Sequence, residues 1–248
     1  MDAEPEWKLR LDDLLRNEKK AVVYTLATSE VHSDPSTADF GTIHNQPRAR
    51  SVVHRSFVEL YGEKKESGAV ILQTTTDIRS AKTSQMRHRQ NPPSSENKPD
   101  AEIVWWFSTP NVQFRLSCYT HLLPAAGHPW RDAFPIDLTG RRENGVDWEQ
   151  VRVDAFNALS PFLRASFARP PPGSVLDDPE EAKTWPVELP QLDEQGADPR
   201  VKEAFEHFAV VYLEVDAVDV VDLGVVPNQR SLYRRQRQGG WAKTRLVP

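Results

Sequence analysis

The pattern of apolar and polar residues predicts an N-terminal helix and then mainly strands in the first half of the chain. Four large apolar residues recur at helical spacing after Pro5 and predict an amphipathic first helix; they are Trp7, Leu11, Leu14 and Leu15. β-branched and aromatic runs predict five strands, over 21–28, 46–58, 69–75, 102–108 and 112–122. The short break 109–111 predicts a hairpin between the last two, and polar segments predict loops at 29–46 and 90–100.

The second half predicts helices, a polar segment and more strands. Helical patterns cover 147–159 and 161–167, within a helical insertion at about 128–168. An acidic, proline-rich loop follows at about 170–199. Apolar runs then predict four further strands, over 208–215, 217–223, 230–234 and 241–246. This order favours a single domain over 1–248 of mostly β (α+β) class, an antiparallel barrel with peripheral helices.

Composition narrows the possible functions. Only 38% of the 248 residues are hydrophobic, and the polar segment 170–199 accounts for much of this dilution. The net charge of −5 disfavours nucleic-acid binding. No apolar stretch reaches the roughly 18 residues of a membrane span, and the acidic N-terminus lacks a signal-peptide core. A lone cysteine, Cys118, excludes an internal disulfide and fits a cytoplasmic location.

Several common catalytic and metal-binding motifs are absent from the sequence. It has no G-x-G-x-x-G, Walker A, G-x-S-x-G or H-E-x-x-H pattern, and its dispersed histidines do not predict a metal site. Cys118 can be read as a core-filling thiol or as a nucleophile, and its apolar strand favours the core. The basic C-terminal residues fit a solvated hairpin better than a nucleic-acid patch; they are Arg230, Arg234, Arg235, Arg237, Lys243 and Arg245.

Cations and hydroxyl groups gather at predicted strand ends. Arg50 and Arg55 flank the segment 51–54, and Thr74 stands near the end of the next strand. A helix with Asp77 as its N-cap is then predicted to run to about His88, and its first residues include Arg79, Ser80 and Lys82. Arginine, lysine, hydroxyls and helix N-terminal amides together make a phosphate cradle. The alternative is a solvated strand edge beside an ordinary helix start.

In their order along the chain, these segments and later ones resemble the pyridoxamine 5'-phosphate oxidase-like FMN-binding split-barrel family. The family pattern is R-x-V-x-x-[KR], T-[DN]-x-R-S-x-K, Q-x-R, L-S-x-x-x-R and R-x-x-Y…W…R-L-x-P. The matching segments are Arg50 to Arg55, Thr76 to Lys82, Gln113 to Arg115, Leu159 to Arg164, Arg230 to Tyr233, Trp241 and Arg245 to Pro248. The resemblance spans nearly the whole chain, with a poor match over about 125–145 and 171–205.

The resemblance implies a homodimer with FMN across its interface. Arg50 and the backbone of Ser51, Val52 and Val53 would contact the flavin ring or ribityl chain. The phosphate would be held by Thr74, Arg79, Ser80 and Lys82. Gln113 and Arg230 would come from the partner subunit. The flavin would perform the redox chemistry, so no protein nucleophile is required.

Two departures from the family pattern fall on the substrate side. The family's R-x-H-D tetrapeptide, which binds the pyridoxal substrate, is here Val226-Pro227-Asn228-Gln229. The lysine that contacts flavin and substrate is replaced by Arg55. The sequence therefore indicates a divergent branch that keeps the FMN half of the site and alters the substrate half.

Three functions are compatible with this pattern. One is an FMN-dependent oxidoreductase or oxidase for a small molecule that the sequence does not name, with no assigned catalytic residue. Another is a non-catalytic flavin carrier or sensor. The third is a split-barrel dimer that has lost its cofactor or binds haem, which the retained cations disfavour.

Overall fold

An antiparallel sheet built around one long strand forms the body of the molecule. The computed structural model describes residues 4–33, 43–87, 98–141, 145–192 and 198–248. The strands are β1 Val23–Ser33, β2 Ile43–Val53, β3 Ser56–Phe57, β4 Ile71–Asp77, β5 Ala101–Phe107, β6 Val112–Leu123, β7 Phe208–Asp222, β8 Gln229–Arg235 and β9 Trp241–Leu246. The helices are α1 Glu6–Asn17, α2 Gly62–Glu66, α3 Ala81–Arg87, α4 Trp148–Asn157, α5 Pro161–Ser166 and α6 Pro199–His207.

The strand β7 organises the sheet because it has two different partners on one side. The order is β2-β1-β5-β6-β7-β4-β3, with β8 also paired to β7 and β9 paired to β8. On one side β6 pairs with β7 over nearly its whole length. On the other side β4 pairs with residues 208–214 and β8 with residues 217–222. The sheet therefore divides at residues 215–216, and the predicted antiparallel β architecture with peripheral helices is confirmed.

The structure corrects several predicted boundaries. The strands predicted over 208–215 and 217–223 are one continuous strand, β7. The strand predicted over 46–58 is divided into β2 and β3, and part of the predicted loop 29–46 belongs to β1 and β2. Two helices, α2 and α6, were not predicted. The predicted end of α3 near His88 lies outside the described residues.

Two hydrophobic cores share β7. One fills the barrel between the strands and α1; its largest side chains include Trp7, Tyr24, Trp105, Phe107 and Phe114. The other lies under α4, α5 and α6; it includes Trp148, Phe156, Phe205, Phe208 and Tyr212. Alternate residues of the first half of β7 enter one core or the other. Burial on both faces explains why its sequence is a continuous apolar run.

The segment predicted as a helical insertion is attached to the acidic segment by a buried arginine. Arg164, in α5, donates to the carbonyl oxygens of Asn157 and Leu189, each at 3.1 Å, and to that of Leu159. Most residues of 170–192 are exposed, but Leu189 is buried in the second core. Residues 193–197 of the predicted loop lie outside the described part of the chain.

No helix in the described ranges is long and apolar enough to cross a membrane.

A buried carboxylate lies where β7 changes partners. Glu214 is only 7% exposed. It accepts a hydrogen bond from Nη1 of Arg235 at 2.7 Å, its Oε2 lies 3.1 Å from Nε2 of His121, and Lys64 Nζ lies 4.0 Å away. Burial alone would raise the Glu214 pKa, but the hydrogen bonds from His121 and Arg235 and the nearby positive charges outweigh it and lower the pKa to about 2. Glu214 therefore connects β7 to α2, β6 and β8.

We expect Glu214→Gln to lower the free energy of unfolding by roughly 2–4 kcal/mol, because the partly buried Arg235 loses its counter-charge. Urea denaturation at pH 7 measures this. Glu203→Gln, an exposed substitution on α6, is the control and is expected to change it by less than about 0.5 kcal/mol. Equal effects of the two substitutions would contradict the role given to Glu214.

The contribution of Glu214 to stability is also expected to depend on pH. The folded-state pKa of about 2 lies below the ordinary glutamate value of 4.5. The contribution is therefore fully present above pH 4.5 and is lost as the pH falls towards 2. The difference in unfolding free energy between the wild-type chain and Glu214→Gln should shrink over this range, in denaturation curves recorded at steps of pH. A constant difference would contradict the assignment.

Candidate functional site

A shallow recess near the edge of the sheet gathers several of the predicted phosphate-binding residues. It measures about 420 Å³ and is open to solvent. Its lining comes from β1, β2, α3 and the segment that follows α5; the residues are Glu30, Arg48, Arg50, Ser80, Ala81, Lys82, Gln85, Pro172 and Gly173. Three cations, Arg48, Arg50 and Lys82, therefore share one surface depression with one carboxylate.

The side chain of Arg50 is held in place by its own chain. Its Nη1 donates to the hydroxyl of Thr28 at 2.6 Å and to the carbonyl of Leu26 at 3.2 Å, and its Nη2 donates to Gln85 Oε1 at 2.6 Å. The Thr28 hydroxyl itself donates to the same Gln85 oxygen at 2.6 Å. A guanidinium fixed in this way is preorganised for an anion.

Positive charge exceeds negative charge in the recess. Burial lowers the pKa of Lys82, and the charge of Arg50 lowers it further, although Asp77 acts in the opposite direction. Burial and the charge of Arg48 likewise lower the pKa of Arg50. The two nearby acids have other cation partners: Glu30 accepts from Arg48 at 2.6 Å, and Asp77 accepts from Arg79. An anion bound here would offset the mutual repulsion.

Arg79, predicted to hold the phosphate, is engaged by other groups of its own chain. Its guanidinium forms a two-point pair with Asp77, at 3.0 and 2.7 Å, and donates to the carbonyls of Phe167 and Arg169, at 3.1 and 2.9 Å. It does not line the recess. In this structure it anchors residues 167–169, which lead to the Pro172–Gly173 wall.

The hydroxyl groups predicted to bind phosphate are positioned by the backbone. Ser80 lines the recess, and its hydroxyl donates to the carbonyl of Asp77 at 2.7 Å. Thr74 is buried and donates to the carbonyl of Val53 at 2.8 Å, which connects β4 to the end of β2. Asp77, predicted as a helix N-cap, accepts instead from the backbone N–H of Arg79, four residues before the start of α3.

The predicted backbone contacts come from an edge strand. Among the described strands, β2 pairs with β1 alone, so one side of its backbone at Ser51, Val52 and Val53 faces no neighbouring strand. On that stretch the carbonyl of Val53 accepts from Thr74. Ser51 is exposed while Val52 is buried in the barrel core. Arg55, just beyond the strand, is exposed.

The residues predicted to act in the partner's site share a different, outward surface. Strand register aligns Trp106, Gln113, Val221 and Arg230 in one row across β5, β6, β7 and β8. Trp106 is 43% exposed. Arg115 donates through Nε to Gln113 Oε1 at 2.8 Å, and Arg230 forms a two-point pair with Asp219.

Three residues that contribute to these two surfaces were missed by sequence reasoning. Arg48 stands two positions before Arg50 on the same strand face, and Gln85 stands three positions after Lys82 on α3. These spacings place each missed residue on the same face as a predicted one, and they could have identified both. No local pattern identified Asp219, because its partner Arg230 lies on another strand. No group of three or more potential metal ligands occurs within the described ranges.

We expect Arg79→Met to lower the free energy of unfolding by roughly 2 kcal/mol, because four hydrogen bonds to charged or buried groups are lost. Arg200→Met provides a matched control: Arg200 makes the same two-point pair with an aspartate two residues earlier, Asp198, but on an exposed surface. Its loss should cost less than about 0.5 kcal/mol in thermal or urea unfolding. Equal losses would contradict the anchoring role of Arg79.

Comparison with known proteins supports the FMN-binding resemblance and confirms the fold. Residues 4–124 match the family model described as pyridoxamine 5'-phosphate oxidase, FMN-binding domain. A pyridoxamine 5'-phosphate oxidase-related, FMN-binding protein from Nostoc punctiforme superposes with a TM-score of 0.64 at 22% identity, covering 100% of both chains. PhzG from Burkholderia lata, solved with tetrahydrophenazine-1-carboxylic acid, superposes with a TM-score of 0.58 at 14% identity, covering 99% of this chain and 94% of that one.

No curated protein sequence matches the chain. The structural similarities therefore establish the fold, and the sequence match is confined to residues 4–124. Residues 4–124 match the pyridoxamine 5'-phosphate oxidase FMN-binding domain, and the chain as a whole has the split-barrel fold of the related FMN-binding proteins.

Proposed function

We propose that this chain is an FMN-binding flavoprotein of the pyridoxamine 5'-phosphate oxidase-like family, and that the recess holds the FMN phosphate. The observation that carries the proposal is the pair Arg50 and Lys82, two partly buried cations that repel each other beside the Ser80 hydroxyl. This donor set fits a phosphate dianion, since charged donors and a hydroxyl bind phosphate oxygens strongly. The matching FMN-binding family model covers all three residues.

The remaining predicted residues have distinct roles in this proposal. Arg50, in its fixed orientation, and the open backbone edge at Ser51 to Val53 would lie along the flavin and its ribityl chain, with Arg55 at the end of the strand. Thr74 and Arg79 would support the phosphate site by fixing β2 and the segment 167–173 rather than through free side chains.

A homodimer would complete the site. Gln113 and Arg230 lie in one outward row, on a different surface from the recess. A second copy of the chain would bring this row to the flavin. The exposed Trp106 in the same row supports an interface role, because large aromatic residues are enriched at interfaces.

The chemistry of the substrate side favours a small molecule other than pyridoxamine 5'-phosphate. Bound FMN would supply hydride or electron transfer, and the protein would bind and orient it. The segment 223–229, which contains Val226 and Asn228 in place of the substrate-binding arginine and histidine, is exposed throughout. We therefore propose an FMN-dependent oxidoreductase with an altered substrate site, in the cytoplasm.

A non-catalytic FMN carrier or sensor is the second candidate. It is favoured by the same segment, because residues 223–229 contain no acid, base or cation to replace the lost arginine and histidine. Both candidates require FMN, so one experiment tests their common basis and a second separates them.

We expect the purified chain to bind FMN more tightly than riboflavin, which lacks the phosphate. Lys82→Met should weaken FMN binding about 10- to 100-fold, since a charged hydrogen bond is lost, and leave riboflavin binding nearly unchanged. Quenching of flavin fluorescence measures both affinities. Lys202→Met, an exposed substitution on α6, is the control and should change neither.

Equal affinity of the wild-type chain for FMN and riboflavin would contradict the phosphate site. Absence of any flavin binding would contradict the proposed function as a whole. Anaerobic titration of the FMN-loaded protein with small amines and alcohols then separates the two candidates: bleaching of the flavin absorption supports an oxidoreductase, and its absence across the panel supports a carrier or sensor.

A further inference from the structure

We propose that Asp219 is a positioning residue for the flavin: it orients Arg230, and through Arg115 it orients Gln113, towards a partner's FMN. This inference rests on the proposed function, in which Arg230 and Gln113 reach the flavin across a dimer interface. Nothing in the family pattern identified from the sequence includes an acid at this position.

The contact between Asp219 and Arg230 has a defined geometry. Arg230 Nε donates to Asp219 Oδ1 at 3.0 Å, and its Nη2 donates to Oδ2 at 2.7 Å. Such a side-on pair uses two of the five guanidinium N–H groups and fixes the plane of the other three. Arg230 therefore has a defined set of donors for a further acceptor.

The same carboxylate lies next to a second arginine. Asp219 and Arg115 are direct cross-strand partners in β7 and β6, and Arg115 Nη1 lies 3.9 Å from Asp219 Oδ2. Arg115 also donates through Nε to Gln113 Oε1 at 2.8 Å. One acceptor position of the Gln113 carbonyl oxygen is therefore occupied, and this hydrogen bond fixes the orientation of the amide group.

The location of this network favours a positioning role over a stabilising one. The side chains of Asp219 and Arg230 are 17% and 30% exposed, on the outer face of the barrel. Ion pairs that solvent reaches contribute little to stability. Fixing a long arginine before binding does reduce the entropy lost when a ligand binds. The cluster also has two cations and one acid, so it remains attractive to the electron-rich edge of a flavin.

A double-mutant cycle with FMN affinity as its readout tests this role. The variants are Asp219→Asn, Arg230→Gln and the combination of both, with flavin fluorescence quenching as the measurement. Asp219→Asn should weaken FMN binding at least fivefold in the wild-type background. The loss should be smaller in the Arg230→Gln background, because only the path through Arg115 and Gln113 remains there.

Further measurements separate positioning from folding. Asp216→Asn, at another partly exposed aspartate of β7, should leave FMN binding unchanged. Asp219→Glu, which keeps the charge, should restore part of the affinity lost in Asp219→Asn. The absorption spectrum of bound FMN should shift in the same direction in Asp219→Asn as in Arg230→Gln, while the thermal midpoints of these variants stay close to that of the wild-type chain.

Two results would overturn the proposal. One is unchanged FMN affinity in Asp219→Asn. The other is an equal loss from Asp219→Asn in both backgrounds, which would show that Asp219 acts independently of Arg230. If the wild-type chain binds FMN tightly and Lys82→Met weakens that binding, the proposed function stands even when either of these two results is obtained. Absence of FMN binding by the wild-type chain would overturn both.

Discussion

The buried carboxylate of Glu214 fixes the relation between the two parts of the sheet. It lies on β7 just before the position at which β4 gives way to β8 as the neighbouring strand. A carboxylate removed from water is stable only with well-placed partners, and here they come from α2, β6 and β8. Contacts that compensate this one buried charge therefore connect β7 with α2, β6 and β8. They also help to fix the hairpin of β8 and β9, which includes Arg230.

Charge compensation also distinguishes the structural cations from the proposed functional ones. Arg152 and Arg164 are buried, but carbonyl oxygens and, for Arg152, the carboxylate of Glu149 accept their hydrogen bonds. Arg79 is likewise engaged by Asp77 and two carbonyls. In the recess Arg50 also donates to the carbonyl of Leu26 and to neutral side chains, but its charge and that of Lys82 repel each other. Excess positive charge in a preorganised setting is what an anion site requires, and it supports the proposal that the recess holds the FMN phosphate.

The sequence predicted most strands and the class of fold, because strand periodicity and the hairpin break are local signals. It missed α6, although Asp198 and Pro199 form a helix start and Val201, Ala204 and Phe205 recur at helical spacing. It also divided β7 at Asp216, where one polar residue interrupts an apolar run. For the candidate site, the sequence indicated Arg50, Ser80 and Lys82, which the structure brings to one recess. It could not indicate that Asp77 and two distant carbonyls engage Arg79, since those contacts depend on tertiary packing.

The arrangement of β7 and β8 explains how the proposed flavin site and the proposed substrate site could diverge separately. Arg230 is fixed by strand pairing with Val221 and by its contact with Asp219. The exposed turn 223–229 precedes it and packs little against the cores. Substitutions in that turn therefore change what a substrate meets without moving Arg230 itself. In the proposed dimer, a chain can lose the family's substrate-binding arginine and histidine from this turn and still present an oriented cation to FMN.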